Sequence, residues 1–337
     1  MAEAQYDYLI VGGLREDYCI THDGRVTERA QGGNAAYAGV GAALWTRSVG
    51  LLSRVGCNYP AEWLAELRRA GIDVEAVVVL PEPQDSRTFY AYLSPVDRVD
   101  TNPAFHYQRI GRPMPRALLD YRSSTEGQER TDGLSPLAVR PADLPGGLRA
   151  VRGAHLAPAD YLTHSLLPIH LRQAGVPVVT LDPSARYMVP SFRRRLPGLV
   201  QGLDAFLPSL AEARAYFEPR PPTLWEMAEA LGALGCRFVV LKGGAGGQFA
   251  YEVETGRRWH VPAYAARVRD VTGAGDAFCG GFLVGLVETE DLVEACLRGG
   301  VSASLAIEGV GALYALGATD GLAQARLEVL RGTVRQA

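Results

Sequence analysis

The stretch DVTGAGDAFCGG, residues 270–281, sets three small residues ahead of an aspartate and then opens a glycine-laden helix. Glycine inside a helix costs roughly 1 kcal/mol against alanine, so Gly280, Gly281 and Gly285 imply that something comes very close to this segment. Gly273, Ala274 and Gly275 carry little or no side chain and leave backbone N–H groups at a helix start open to an anion, a preference the helix dipole reinforces. Asp276, beside such an anion, is poorly placed to bind negative charge and well placed to take a proton from an attacking hydroxyl. Phosphoryl transfer needs both parts. Ala277, Gly281 and Gly285 follow at four-residue intervals, so one helix face is nearly bare and can lie against a sheet or a bound nucleotide. A glycine turn with Asp276 merely favoured in a first helical turn gives the same string, and the rest of the chain must decide.

Upstream, short apolar or β-branched runs recur: YLIV at 8–11, VVV at 77–79, VVTL at 178–181 and FVVL at 238–241. These read as buried strands. Helix-length segments separate several of them. In PAEWLAELRRAG, Pro60 suits the first helical position, Glu62 the first turn, Arg68 and Arg69 the last turn and Gly71 the stop. SLLPIHLRQAG and TLWEMAEALGALG end in the same way, at Gly175 and Gly235. Strand alternating with helix predicts an α/β fold with a largely parallel sheet covered on both faces. Two regions break the rhythm. DYCITHDGRVTERA holds a turn-forming Asp23-Gly24 between short alternating runs, a hairpin signal, and residues 86–108 read as two strands around a turn, so that the two together make a small second sheet. Residues 121–136 are polar and without period, which predicts a mobile loop.

The 337 residues suffice for one large domain with an appendage or two modest domains, and the formal net charge of −3 offers no basic field for nucleic acid or an anionic membrane. No apolar run approaches the ~20 residues of a membrane span, and the start has no secretory signal pattern. The five cysteines are scattered and never form CxxC, so neither a disulfide framework nor a zinc site is indicated. A cytoplasmic protein with small-molecule partners is the expectation. His155 and His164 match no metal-ligand spacing, and no GxxxxGK[ST] loop, GxGxxG, GxSxG or HExxH occurs. The aromatics of TFYAYL suit either packing or stacking on a ring.

At this point DVTGAGDAF resembles the C-terminal signature of the ribokinase-like, or PfkB, carbohydrate kinase family. Asp270, Thr272, Gly273, Ala274, Gly275, Asp276 and Phe278 match, and Val271 stands where threonine is usual. QGGNAAYAGVGAALW is similar to the family's N-terminal signature at Gly32 and Gly33, followed by Asn34, with Tyr37 in place of an asparagine. VGGLREDY resembles the first-strand segment whose aspartate holds acceptor hydroxyls, here Asp17. LKGGAGGQFAY resembles the turn that supports the nucleotide, with Lys242, Gly244 and Gly247; an ordinary glycine hairpin reads the same. LPSLAEA resembles the element near magnesium and phosphate, with Ser209 replacing asparagine and Glu212 kept as a water-mediated handle for the metal. The resemblance covers essentially the whole chain, with motifs in family order.

It implies a three-layer α/β/α sandwich with a mainly parallel central sheet and a small β-sheet lid formed by residues near 16–31 and 86–108. It also implies ATP-dependent phosphorylation of a sugar-like hydroxyl, with Asp276 as base, the amides of Gly273, Ala274 and Gly275 holding the phosphoryl charge, Thr272 on the nucleotide side, and Mg2+ on the phosphates. A monovalent cation is a further candidate, and pairing of lids makes a homodimer the expected assembly. A nucleoside kinase, or a catalytically silent sugar- or nucleotide-binding member, are the competing readings. Arg15 lies two residues before Asp17, on the same side of an extended segment, and its fork suits a carboxylate, a phosphate or a carbonyl-rich ring. Alternatively Arg15 pairs with Glu16, Asp17 or a lid carboxylate and only closes the lid; Arg87 carries the same two readings.

Overall fold

The computed structural model describes residues 5–94 and 97–337. Its central sheet runs, from one edge, through Arg335–Gln336, Arg258–Val261, Gln248–Glu252, Phe238–Lys242, Ala205–Phe206, Val179–Leu181, Gly153–Leu156, Tyr8–Val11, Val49–Leu52 and Ile72–Asp73. From Phe238–Lys242 onward every pairing is parallel, and the three at the other edge are antiparallel. Both faces are covered, which is why the strands read as unbroken apolar runs. Side chains alternate between the two cores: Tyr8, Ile10 and Val240 join one, Leu9, Val11 and Leu241 the other. The first core is closed by the helices Asn34–Ala43, Ala274–Thr289 and Leu292–Ala306, the second by Tyr161–Gln173, Leu210–Phe217 and Leu224–Gly232. The α/β/α sandwich with a mostly parallel sheet is therefore the observed architecture.

The punctuated helices form where the sequence places them. Ala61–Arg69 follows Pro60 and stops before Gly71, and Leu224–Gly232 starts from Thr223, whose N–H donates to Glu226 Oε2 at 2.8 Å in a reciprocal cap. The VVV run is different. Val78–Leu80 pairs only with Arg54–Gly56, outside the central sheet, and Val79 is exposed; with a single partner strand it has no second face to bury.

A four-stranded sheet stands apart, in the order Val26–Gly32, Arg15–Ile20, Arg87–Tyr92, Arg98–Val99. Arg15–Ile20 and Val26–Gly32 form the hairpin around Asp23-Gly24, and a register shift between Asp17 and Cys19 bends the first of them. One face carries its own small core of Tyr18, Ile20, Phe89, Ala91 and Tyr107. Beyond Val99 the second strand expected within 86–108 ends early, because Asn102 accepts the Phe105 N–H at 3.4 Å and Pro103 opens the helix Pro103–Arg109. Residues 95 and 96, in the turn of this segment, lie outside the described residues. Residues 121–136 contain no helix or strand, yet Ser123, Thr125 and Gln128 are tied by hydrogen bonds to Asp100, Arg186 and Ser184.

The free edge of this small sheet meets the body at Trp63: Gln31 Nε2 donates to the Trp63 carbonyl at 2.9 Å, and the Arg29 guanidinium lies 5.9 Å from the indole. Among the described residues no helix is long and apolar enough to cross a membrane, and all five cysteines are free.

Candidate active site

The parallel strands Tyr8–Val11, Gly153–Leu156 and Val179–Leu181 all point their C-terminal ends at one cavity of about 500 Å3, whose opposite wall is the inner face of the small sheet. The first strand sends its chain to one side, and its neighbour Gly153–Leu156 continues to the other. That divergence is where open α/β sheets leave a crevice.

Helix Ala274–Thr289 starts at this cavity. Its N-cap Gly273 has φ 76°, a left-handed conformation that a side chain disfavours, and a Cβ there would also overlap the Tyr37 ring. Asp270 accepts the Thr272 N–H at 2.9 Å and fixes the turn, and the Thr272 hydroxyl meets Tyr92 of the small sheet at 3.2 Å. Asp276 lines the cavity in the first turn. Burial raises its pKa, Lys242 and Arg98 draw it back, and Glu212 adds to the rise. Its carboxylate forms no side-chain hydrogen bond or ion pair with another described residue.

The glycine stripe has a different cause from the one expected. A Cβ on Gly280 would run into the Ala38 carbonyl, one on Gly281 into Ser302, and one on Gly285 would lie 2.7 Å from Ala295 Cα. Two neighbouring helices, Asn34–Ala43 and Leu292–Ala306, occupy the bare faces, so the close approach is helix on helix rather than nucleotide on helix.

Asp17 is buried, with Oδ1 accepting from no described residue. Burial pushes its carboxyl up to about 7; the Gly33 N–H lowers it, Asp270 and Asp276 raise it and Arg15 lowers it. Gly32 is bare because a Cβ would overlap the Asp17 carboxylate, and Gly33, at φ 91°, lets the chain pass the Gly13 carbonyl. Asn34 is spent on architecture: Oδ1 accepts the Gly13 N–H at 2.7 Å and Nδ2 donates to the Pro158 carbonyl at 2.6 Å. Arg15 lines the cavity beside Asp17, as strand alternation requires. Arg87 does not. It pairs in register with Glu16, on the other face of the small sheet, and its guanidinium is taken by Asp85, by the Ala117 carbonyl at 2.5 Å and by the Leu119 carbonyl at 3.0 Å. Of the TFYAYL aromatics, Phe89 packs in the small core while Tyr90 faces the cavity.

Lys242 ends its strand against Gly275, Nζ lying 3.6 Å from where a Cβ would sit, and is ion-paired with buried Asp182. Burial holds the Asp182 carboxyl above its usual range although Lys242 favours the charged form. Gly244 and Gly247 turn the chain between antiparallel strands outside the cavity wall, with the Gly243 N–H on the Gly247 carbonyl at 2.8 Å. Ser209 and Glu212 cap helix Leu210–Phe217 reciprocally: Ser209 Oγ accepts the Glu212 N–H at 3.1 Å and Glu212 Oε2 accepts the Ser209 N–H at 2.7 Å. Glu212 reaches the cavity wall.

Of the three amides expected to be open, that of Ala274 is taken by the Val271 carbonyl at 3.2 Å; a free carboxylate next to the Gly273 and Gly275 amides and a lysine is equipped to deprotonate a hydroxyl and hold a transferring phosphoryl group. Comparison with known proteins points the same way. Residues 166–317 match the profile described as pfkB family carbohydrate kinase. That match spans the C-terminal part of the chain, from helix Tyr161–Gln173 to the residues after Leu292–Ala306. The chain is 27% identical to the cytidine kinase of Thermococcus kodakarensis over 88% of its own length and 93% of the other. It is 22% identical to a 5-dehydro-2-deoxygluconokinase of Shouchella clausii over 90% of each. Its fold is shared with a putative ribokinase II from E. coli crystallised with ATP and Mg2+, at a TM-score of 0.68 and 16% identity over 99% of this chain and 100% of that one. The matched profile and these relatives indicate a phosphotransferase that acts on a sugar or nucleoside hydroxyl with ATP.

Among the described residues no three acidic, histidine or cysteine side chains gather to hold a metal. Glu212, with one oxygen committed to its cap and its carboxylate at the cavity beside Asp276, fits the looser mode in which Mg2+ keeps its waters and the nucleotide phosphates. His155 and His164 are buried: His155 Nδ1 meets the Thr180 hydroxyl at 2.9 Å while its Nε2 has no partner among the described residues, and His164 is satisfied by Tyr187 and the Ala157 carbonyl.

Sequence reasoning missed Asp182, Arg98, and the cluster of Arg186 with Asp100, Ser123 and Thr125. Arg186 Nε donates to Thr125 at 2.8 Å and Nη2 to Ser123 at 3.0 Å, with Asp100 at 3.5 Å. A signal was present for Asp182 and Arg186, since the first directly follows the buried run VVTL, the second lies in the loop just beyond it, and parallel strands deliver ligand-facing residues at their C-terminal ends. For Arg98 and Asp100 no local signal exists.

Proposed function

We propose that this kinase phosphorylates a hydroxyl of a sugar or sugar-like small molecule, with Asp276 as the general base. The observation that carries the reading is Asp276 itself, uncommitted, on the cavity wall in the first turn of the helix that Gly273 opens. Asp276 takes the acceptor proton as the oxygen attacks, and the amides of Gly273 and Gly275, assisted by Lys242, hold the charge on the moving phosphoryl group. The unsatisfied Oδ1 of Asp17 supports a second role, receiving an acceptor hydroxyl and orienting it. The nucleotide-side role expected of Thr272 falls to its backbone, since its hydroxyl meets Tyr92 of the small sheet at 3.2 Å, and the turn of Gly244 and Gly247 adjoins Lys242. When bound, Mg2+ would neutralise the nucleotide phosphates, and Glu212 is its handle on this chain.

The small sheet acts as a lid that excludes water competing as acceptor. Its strand Val26–Gly32 pairs on one side only, which supports a homodimer through that edge. Free, mostly buried thiols are in keeping with a reducing cytoplasm.

ADP release against sugars, polyols and nucleosides would identify the acceptor class. Asp276→Asn should then lower turnover by ~10²-fold or more while the KM for ATP stays close to wild type; near-normal turnover in the folded variant rejects Asp276 as base.

A further inference from the structure

Of the guanidiniums on the cavity wall, Arg186 is committed to Asp100, Ser123 and Thr125, and Arg98 lies 4.1 Å over the Tyr90 ring. Arg15 is half-buried and has neither a hydrogen bond nor an ion pair among the described residues. The acids that reach it electrostatically are Asp160, Asp17 and Asp85. Two of these are engaged elsewhere: Asp85 holds Arg87, and Asp160 accepts from the Ser135 N–H and hydroxyl at 3.3 Å each. Burial lowers the Arg15 pKa, since a charge removed from water without a partner is costly. Arg98, stacked on Tyr90, puts a second cation on the wall of the same cavity. Neutral hydroxyls cannot neutralise a guanidinium; a planar oxyanion matches its fork in two bonds.

We propose that the acceptor bears an anionic oxygen group, a carboxylate or a phosphate, alongside the hydroxyl that is phosphorylated, and that Arg15 binds that group. The inference rests on the kinase reading for the hydroxyl only. Asp17, two residues along on the same face, does not oppose it strongly, because its carboxyl is held near 7 and is partly neutral at physiological pH. The alternative in which Arg15 merely latches the lid requires an ion pair that the described residues do not form.

Thermal unfolding without nucleotide tests this directly. Wild type, Arg15→Gln and Arg15→Lys are each melted with gluconate against glucitol, glucose 6-phosphate against glucose, and cytidine. At least one acid should raise the wild-type Tm above its neutral partner, and the arm in which it does so assigns carboxylate or phosphate. Arg15→Gln should erase that difference while leaving the neutral compounds unchanged, and Arg15→Lys, which keeps the charge should the glutamine variant fold poorly, should retain part of it. With ATP present, kcat/KM for the acid should drop by roughly 10²-fold in Arg15→Gln. A neutral polyol or cytidine as the best ligand with shifts indifferent to Arg15, or no acid stabilising the wild type, overturns the proposal. Binding of an acid through Arg15 without ADP release would instead remove the kinase reading and leave the anion site standing.

Discussion

Asp17 concentrates the electrostatics of the site in one carboxyl. Its pKa rises on folding from about 3.8 to about 7, chiefly through burial, so the folded chain holds this proton more tightly than the unfolded chain does. The stability it contributes is full at low pH and is lost as pH climbs through that window. Asp17→Asn removes the titration but leaves Asp182 untouched. The wild-type Tm should therefore fall relative to the variant between about pH 4 and pH 7, and parallel profiles would show that Asp17 is charged throughout. At this scale the sequence was informative where chemistry is local: Gly273 to Asp276 are neighbours on the chain and form one turn. Tyr37 against Gly273, and Asp182 under Lys242, join segments remote in sequence, and no spacing announces them.

Helices Asn34–Ala43, Ala274–Thr289 and Leu292–Ala306 meet almost backbone to backbone. Their glycines were readable as a demand for closeness, while the identity of the neighbour was not, because periodicity describes one element and packing needs two. Gly280→Ala should destabilise the protein by ~1–3 kcal/mol, read from the urea midpoint, since the Ala38 carbonyl cannot retreat without moving its helix. The Ser209–Glu212 cap belongs to the same scale. Serine where asparagine is usual still caps the helix, and it holds the carboxylate of Glu212 by one oxygen. Ser209→Ala should cost ~0.5–2 kcal/mol, and Glu212→Gln should raise the Mg2+ concentration for half-maximal activity more than Ser209→Ala does. Coincident magnesium titrations for Glu212→Gln and wild type would reduce Glu212 to a helix cap.

Across the whole molecule, two layers of helices and a sheet follow from alternating apolar runs and punctuated helices, so the sandwich was legible. Strands such as Gly153–Leu156 and Ala205–Phe206 are too short or too glycine-rich to stand out alone, and become strands because parallel neighbours on both sides complete their hydrogen bonds. The way the lid is fastened was not legible. Arg186 from the body grips Asp100, Ser123 and Thr125, which flank the lid sheet in sequence. Arg186→Met should raise the KM for the acceptor by about 2- to 5-fold, the scale of a half-exposed ion pair, and increase ATP hydrolysis without acceptor. Unchanged values for both would mean that the grip is ornamental to closure.

Trp63 sits at the seam where the lid's free edge touches the body, with Gln31 on its carbonyl and the Arg29 cation near its ring. An indole in that position is a fluorophore whose emission colour and quenching depend on whether the edge strand stays docked. With Trp45, Trp225 and Trp259 replaced by phenylalanine, the protein would carry its own optical gauge of lid movement, readable in a stopped-flow trace without any attached dye.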